Sequence, residues 1–275
     1  MTHIHTTKKA AVVFAVVAVL AIFLPTLEIP LNIGNVLNAT SIFYSVLLGF
    51  YIASAMTNLS RLKSLVAIET GGIISVYHLC KIALPNKLDT IRESIDRYLI
   101  KRFDYEVSDY TEPTTEEFFA IFDVLKGADP KSAGEVSAMN YIAEAHYYIA
   151  QARREITIVG AKIVSGTSWV VLNLLSFMIV LMIFLMRDGG IASTIVTIFL
   201  SSSAIISLFI LDDVDGNRFG EEKFSVETYQ AVFKAIGNLP YYPHIFVLTS
   251  RYKPKEKVYR TGTSAHIIQI GHAKS

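Results

Sequence analysis

Between Ile163 and Met186 the sequence reads IVSGTSWVVLNLLSFMIVLMIFLM, a run without a charged side chain. A helix that rises about 1.5 Å per residue needs about 20 apolar residues to cross the hydrocarbon core of a membrane. Strands of a soluble sheet are shorter and are interrupted by turns. The run therefore predicts a transmembrane helix, and the rest of the chain is interpreted from it.

Three further stretches share this character. They run from Ala10 to about Leu27, from about Val36 to Thr57, and from about Gly189 to Leu211. The 275-residue chain is 52% hydrophobic and 18% charged, whereas a soluble domain usually carries about 25% charged residues. This composition argues against an ordinary soluble globule or a disordered chain, and a net charge of +1 argues against a cationic nucleic-acid binder. We expect an integral membrane protein with four transmembrane helices and the lipid bilayer as its surroundings.

The basic residues that flank these stretches predict the orientation. Lys8 and Lys9 before the first stretch are also typical of a signal peptide, but Leu24-Pro25 lacks a small-x-small cleavage pattern, which favours an uncleaved span. The other flanking basic residues lie on the same side of the predicted membrane: Arg61, Lys63, Arg153, Arg154, Lys162, Arg218 and Lys223. The positive-inside rule then places both termini and the central insert in the cytoplasm of a multi-pass plasma (inner) membrane protein.

The chain divides into four predicted segments. Residues 1–60 hold the first two spans, residues 61–160 a cytoplasmic helical insert, and residues 161–211 the third and fourth spans. Residues 212–275 hold an acidic exit motif, an amphipathic helix and a basic tail. The predicted fold class is all-α, with long cytoplasmic extensions of the membrane helices.

The insert is predicted to be a helical stalk rather than a separately folded domain. Apolar periodicity continues the second span to about Ala83, and the helix that begins near Ser132 is expected to run unbroken through Arg154 into the third span. In the tail, His244–Thr249 and Ala265–Ile270 have β-type alternation. The tail could form a hairpin, lie along the stalk, or stay loose near anionic headgroups.

Small residues recur every fourth position along the second span. They are Ser41, Ser45, Gly49, Ala53 and Thr57. Small side chains let helix backbones approach closely in lipid. The row therefore predicts either a packing seam within one subunit or a face turned towards a neighbouring subunit and a pore.

Hydroxyl-bearing residues are concentrated in the fourth span, at Thr194, Thr197, Ser201, Ser202, Ser203 and Ser207. They either bond back to carbonyls of their own helix or line a hydrated pathway. The span centres carry no ionisable side chain. Proton relays, ion-coupled transporters and voltage sensors generally need such groups, whereas a pore with an apolar constriction does not.

Acidic residues follow the fourth span, at Asp212, Asp213, Asp215, Glu221 and Glu222. Their spacing copies the opening of a calcium loop but then fails, because Arg218 stands where that loop needs glycine. The stretch could hold Ca²⁺ or another divalent cation, or it could be a solvated turn. Glu69, an isolated acid of the insert, is expected to pair with a basic group of a neighbouring helix for structure.

Motifs of catalysis and cofactor binding are absent from the sequence. It contains no His-Glu-x-x-His run, phosphate-binding glycine loop, dinucleotide fingerprint or serine elbow. The single cysteine, Cys80, is expected to be a packing residue. We therefore do not expect an enzyme, and no cofactor is certain.

Three stretches carry a family resemblance: Ile42–Ala55 in the second span, Val66–Gly72 with its glutamate, and Leu211–Gly220 at the exit of the fourth span. Together they resemble the bestrophin-like membrane family of prokaryotes. The resemblance implies a pentamer with four spans per subunit, an anion pathway along the second helix and an acidic calcium site after the fourth. This chain departs from that pattern in its shorter acidic run and in its row of small rather than bulky residues.

The leading functional hypothesis is a homo-oligomeric ion channel of the plasma membrane, with the second span nearest the axis. Anion conduction is implied only by the resemblance, and a ring of Asp212 and Asp213 at the inner mouth would favour cations instead. The alternative is a non-conducting membrane sensor or scaffold whose cytoplasmic helices bind a partner.

Overall fold

The computed structural model describes residues 2–26, 33–107, 109–216, 221–248, 254–263 and 269–272. Within these ranges the chain forms two compact units. The span unit comprises Met1–Thr57 and Lys162–Phe219, and the insert–tail unit comprises Asn58–Ala161 and Gly220–Ser275. Each unit therefore contains residues from two separate stretches of the sequence.

Most described residues are helical. The helices are α1 (Thr2–Phe23), α2 (Ile33–Ala83), α3 (Leu88–Arg102), α4 (Thr115–Asp123), α5 (Ala133–Val159), α6 (Gly166–Leu185), α7 (Ile191–Asp215), α8 (Glu221–Ala235) and α9 (His244–Leu248). The strands are β1 (Tyr241–Pro243), β2 (Val258–Gly262) and β3 (Gln269–His272). These bounds confirm the long second helix and the short helices that the periodicity of the insert predicted.

Three of the described helices, α2, α6 and α7, are long and apolar enough to cross a membrane. They correspond to the second, third and fourth predicted spans. Helix α1 forms where the first span was predicted and packs against α7. Its assignment as a fourth span stays a prediction.

The core of the span unit lies among α2, α6 and α7. Leu172 is fully buried, and Leu48 and Leu208 are nearly so. The hydroxyl of Tyr44 on α2 donates to the Ala204 carbonyl of α7 at 2.7 Å. Side chains on the outer faces, such as Phe177 and Phe199, are well exposed, as expected for helices whose surroundings are apolar.

The prediction that one helix continues from Ser132 into the third span is wrong. Helix α5 ends at Val159 and α6 begins at Gly166. The hydroxyl of Ser165 accepts a hydrogen bond from the Ser168 amide at 3.1 Å, so Ser165 caps α6. The sequence has Gly160 and Ser165 in this region, but neither residue on its own marks a helix end, so the break was not predicted.

The turn between α6 and α7 supports α1. Arg187 is buried and donates to the carbonyls of Ala21 and Leu24, at the C-terminal end of α1. A cation at this position satisfies helix carbonyls that have no partner within the helix. Asp188 accepts from the amide of Gly190 at 2.8 Å, and Gly189 has φ +80°. The turn therefore holds α1 within the span unit.

The insert and the tail form one compact unit. The prediction that the insert is a stalk rather than a folded domain is therefore wrong. Tail helix α8 and the residue that follows it supply fully or almost fully buried side chains to the core of this unit: Val226, Tyr229, Val232, Phe233 and Ile236. They pack with buried residues of α2, α3 and α5, including Ile73, Ile95 and Ile149. The apolar faces of the insert helices are thus covered by α8, which is distant from them in the sequence.

The tail also contains a small sheet, so the all-α prediction holds for most of the chain but not here. Strand β1 pairs in parallel with β2, and β2 pairs antiparallel with β3 in the order β1-β2-β3. An antiparallel strand pair does form in the tail, but it joins Val258–Gly262 and Gln269–His272 rather than the two predicted β-patterned segments. The β-patterned segment that begins at His244 is instead the short helix α9, which follows directly after Pro243.

Candidate functional site

A buried polar site of the insert–tail unit is built around Glu69. Its side chain has an exposed fraction of 0%. The carboxylate accepts hydrogen bonds from three tyrosine hydroxyls: Tyr229 on α8 at 2.8 Å, Tyr98 on α3, and Tyr110 in the segment before α4. One carboxylate thus connects four separate stretches of the unit.

Two buried arginines complete the site. Arg153 on α5 lies 3.7 Å from the Glu69 carboxylate, and it donates to the Tyr98 hydroxyl and to the Thr111 carbonyl, the latter at 2.7 Å. Arg102 at the end of α3 places its guanidinium carbon 4.6 Å from the ring centre of Tyr110 and 4.4 Å from that of Tyr229. These six residues are called the Glu69 cluster below.

The electrostatics of the Glu69 cluster keep its phenols neutral. Burial raises the pKa of Tyr98, Tyr110 and Tyr229, and the nearby charge of Glu69 raises each pKa further. A charged group removed from water needs a partner of opposite sign. With one carboxylate and two guanidinium groups, the cluster carries a formal charge of +1.

Sequence reasoning found the acid of this cluster but missed its partners. Tyr98 and Tyr229 occupy positions on the apolar faces of their helices, because their rings fit the hydrophobic periodicity and their hydroxyls do not alter it. Arg153 was used only as a flanking basic residue in the prediction of membrane orientation. Tyr110 lies outside a periodic helix, so no pattern pointed to it.

The row of small residues on α2 lies on an exposed side of that helix. Ser45, Gly49, Ala53 and Thr57 are exposed and Ser41 is half-buried. A Cβ atom added to Gly49 would meet none of the described residues within 4 Å. Within the described residues the span unit packs against α2 through residues such as Tyr44 and Leu48 rather than through this row. The seam and pore interpretations of the row both stay predictions.

The hydroxyls of the fourth span behave in two ways. Thr194 and Ser207 donate to carbonyls one turn earlier, at 3.0 and 2.6 Å, as the back-bonding interpretation predicts. Ser201 and Ser202 are buried, and their hydroxyl oxygens have no hydrogen-bond partner within the described residues. The back-bonding interpretation therefore accounts for only part of this group.

The acidic exit motif is divided between structural roles. Asp212, Asp213 and Asp215 form the last turn of α7. The Asp215 carboxylate accepts from the backbone amides of Ile163 and Val164 at 2.8 and 3.1 Å, where the chain approaches α6. Asp215 thus stabilises the break before α6, which is a role that sequence spacing did not suggest.

A metal site is not assembled in the described part of the chain, where no group of three His, Cys, Asp or Glu side chains is placed to hold an ion. Glu221 and Glu222 open α8, and their side chains lie outside the described residues. Cation binding at the exit motif therefore stays a prediction.

Substitution of Asp215 separates the structural role from cation binding. We expect Asp215→Asn to keep most of the stability, because its amide oxygen can still accept from the two backbone amides, and Asp215→Ala to lose about 1–2 kcal/mol. Unfolding temperatures of the solubilised protein, with and without Ca²⁺, provide the measurement. A Ca²⁺-induced stabilisation that Asp215→Asn abolishes would contradict this structural assignment.

Comparison with known proteins identifies the fold. Residues 9–216 match the family model of the Bestrophin-like domain. Two solved structures, each described as the crystal structure of a membrane protein with a single substitution, have TM-scores of 0.59 and 0.61 at 12% and 11% identity. The matches cover 86% and 84% of this chain and 98% of each solved chain. No curated protein matches the chain with significance.

Proposed function

Because this chain belongs to the bestrophin-like family, we propose that it is an oligomeric ion channel of the plasma membrane in which α2 lies nearest the axis. In this proposal α1 is the fourth span, and the insert–tail unit and both termini are cytoplasmic. The bilayer and further copies of the same chain are its structural partners. Five copies are proposed by family resemblance alone.

The exposed row on α2 is the observation that carries this proposal. Small side chains drive helix association in lipid only where another helix approaches them closely. Within the span unit this row remains exposed, and Gly49 leaves room for a neighbour. A second copy of α2 is the partner whose shape fits, and several copies around one axis would enclose a pathway between the rows.

Ion selectivity is a separate part of the proposal. The family likeness favours anions, whereas Asp212 and Asp213 at the end of α7 would favour cations if they lined the inner mouth. A reversal potential measured in a KCl gradient distinguishes the two, because its sign follows the more permeant ion.

Bulky substitutions in the row test conduction. The purified protein in liposomes should release ions faster than empty liposomes, and Gly49→Trp or Ser45→Phe should reduce that flux to the empty-liposome level, because each fills space next to the axis. The matched control is Val170→Trp, which adds a similar bulk at a 67% exposed position of α6. It should conduct like the parent protein.

Two results would contradict the proposal. One is flux equal to that of empty liposomes for all ions tested. The other is an equal loss of flux in Gly49→Trp and Val170→Trp, with both variants still oligomeric by size and image analysis.

A groove on the insert–tail unit favours a second candidate function, the binding of a partner by a non-conducting sensor or scaffold. The groove has a volume of about 510 Å³ and lies between α2 and α5, where Leu79, Tyr141 and Tyr148 line it. Both tyrosines are more than half exposed, and exposed aromatic side chains are common in binding surfaces. A monomeric particle without an axial pathway would favour this function.

A further inference from the structure

One edge of the Arg102 guanidinium lacks hydrogen-bond acceptors. Arg102 is only 2% exposed, and its Nε and Nη2 atoms have no hydrogen-bond partner within the described residues. These two nitrogens lie on the same edge of the planar group and present two parallel N–H bonds. That edge is the one with which arginine binds anions in a bidentate manner.

Arg260 in the same unit shows how a guanidinium is otherwise satisfied. Its Nη1 and Nη2 atoms donate to the two carboxylate oxygens of Asp96, both at 2.7 Å, and its Nε atom donates to the Leu239 carbonyl at 3.0 Å. Arg102 is more deeply buried than Arg260, yet its edge lacks such acceptors. The aromatic rings beside it stabilise its charge, and the Tyr229 hydroxyl is a hydrogen-bond partner of the guanidinium. The Nε and Nη2 atoms nevertheless have no acceptor within the described residues.

The charge of the Glu69 cluster also indicates that the cluster needs a negatively charged partner. Glu69 neutralises one of the two guanidinium groups, and the tyrosines stay neutral because burial and Glu69 raise each pKa. One positive charge is therefore left in a region removed from water, which is costly without a counter-ion. A single bound negative charge would balance the cluster.

We propose that the Nε–Nη2 edge of Arg102 binds a small inorganic monovalent anion, such as chloride, inside the insert–tail unit. Both nitrogens are shielded from solvent in the folded chain, so the site suits a compact ion rather than a lipid headgroup or a nucleotide. The ion would complete the Glu69 cluster, to which α8 contributes Tyr229. Attachment of the tail helix would then depend on anion concentration, whether or not the protein conducts ions.

Thermal unfolding of the full-length solubilised protein tests the site. At constant ionic strength, replacing gluconate by chloride should raise the unfolding temperature by about 3 °C or more, because an ion that binds only the folded state stabilises it. Arg102→Met and Arg102→Lys should lose this increase, since the first lacks the charge and the second lacks the bidentate edge. The matched control Arg260→Met should keep the increase, because the Arg260 guanidinium already has Asp96 and the Leu239 carbonyl as acceptors and offers no free edge to an anion.

Diffraction from crystals grown in bromide gives a second measurement on the unaltered protein, so the test does not depend on whether Arg102 variants fold. An anomalous peak within hydrogen-bond distance of Nε and Nη2 is expected. Bromide found solely on the surface would mean an adventitious ion only and would overturn the proposal. The proposal would also be overturned if chloride did not raise the unfolding temperature of the parent protein. The same holds if chloride raised it equally in the parent and in Arg102→Lys.

Discussion

Glu69→Ala is expected to destabilise the insert–tail unit by about 3–5 kcal/mol, since it leaves buried positive charge without its carboxylate partner. Arg153 would lose its acidic partner at 3.7 Å, and the hydroxyls of Tyr98, Tyr110 and Tyr229 would lose a common acceptor. Thermal unfolding and limited proteolysis of the solubilised protein provide the measurement. The insert should become susceptible to protease at a temperature about 10 °C lower than in the parent.

A second acid paired with arginine provides the control. Glu155 accepts from Arg61 at 2.7 Å, but the Arg61 side chain is 60% exposed. Water screens such a pair, so Glu155→Ala should leave the unfolding temperature nearly unchanged. Equal decreases of the unfolding temperature in the two variants would mean that Glu69 is not the centre of the unit. A Glu69→Ala protein as resistant to protease as the parent would lead to the same conclusion.

Gly72→Ala is expected to destabilise the same unit by about 2 kcal/mol, although alanine is the better helix former. A Cβ atom at this position would lie 2.5 Å from Cγ1 and 2.9 Å from Cδ1 of Ile149. Ile149 is fully buried on α5, so it can move only if its neighbours in the core move too. Equilibrium unfolding monitored by tyrosine fluorescence or circular dichroism measures the loss.

The neighbouring glycine is the matched control, because it lies in the same helix on the exposed side. A Cβ atom on Gly71 meets none of the described residues within 4 Å, so Gly71→Ala should stabilise by up to about 1 kcal/mol. Combining Gly72→Ala with Ile149→Ala should cost less than the sum of the two single changes, since the clash is then removed. Strictly additive changes in the free energy of unfolding would show that the two side chains do not contact each other.

The helices of this protein follow from local pattern. Charge-free runs and apolar periodicity predicted the bounds of α2, α6 and α7 within a few residues. This was possible because a helix that buries one face carries apolar residues at the helical period. The periodicity also predicted that α2 continues to Ala83. The family likeness was also visible in short motifs such as the one around Glu69.

Features that depend on distant partners could not be predicted in this way. Asp215 looked like a metal ligand because a carboxylate at a helix end gives no sign of which amide it will meet. Tyr229 looked like an ordinary apolar residue, and its pairing with Glu69 joins positions 160 residues apart. Strand β2 was missed because the basic residues around it hid a short β pattern, and its neighbour β1 is only three residues long.

The two-part composition of the insert–tail unit has a consequence for biosynthesis. A ribosome completes α3, α4 and α5 before it makes Lys162–Phe219, and only then makes α8. During that interval the nascent insert exposes the apolar surface that Val226, Phe233 and Ile236 later cover. Closure of this core must wait until α8 has been synthesised. A premature stop after residue 216 would therefore yield a membrane-inserted polypeptide with an open core, a substrate for chaperones and quality-control proteases.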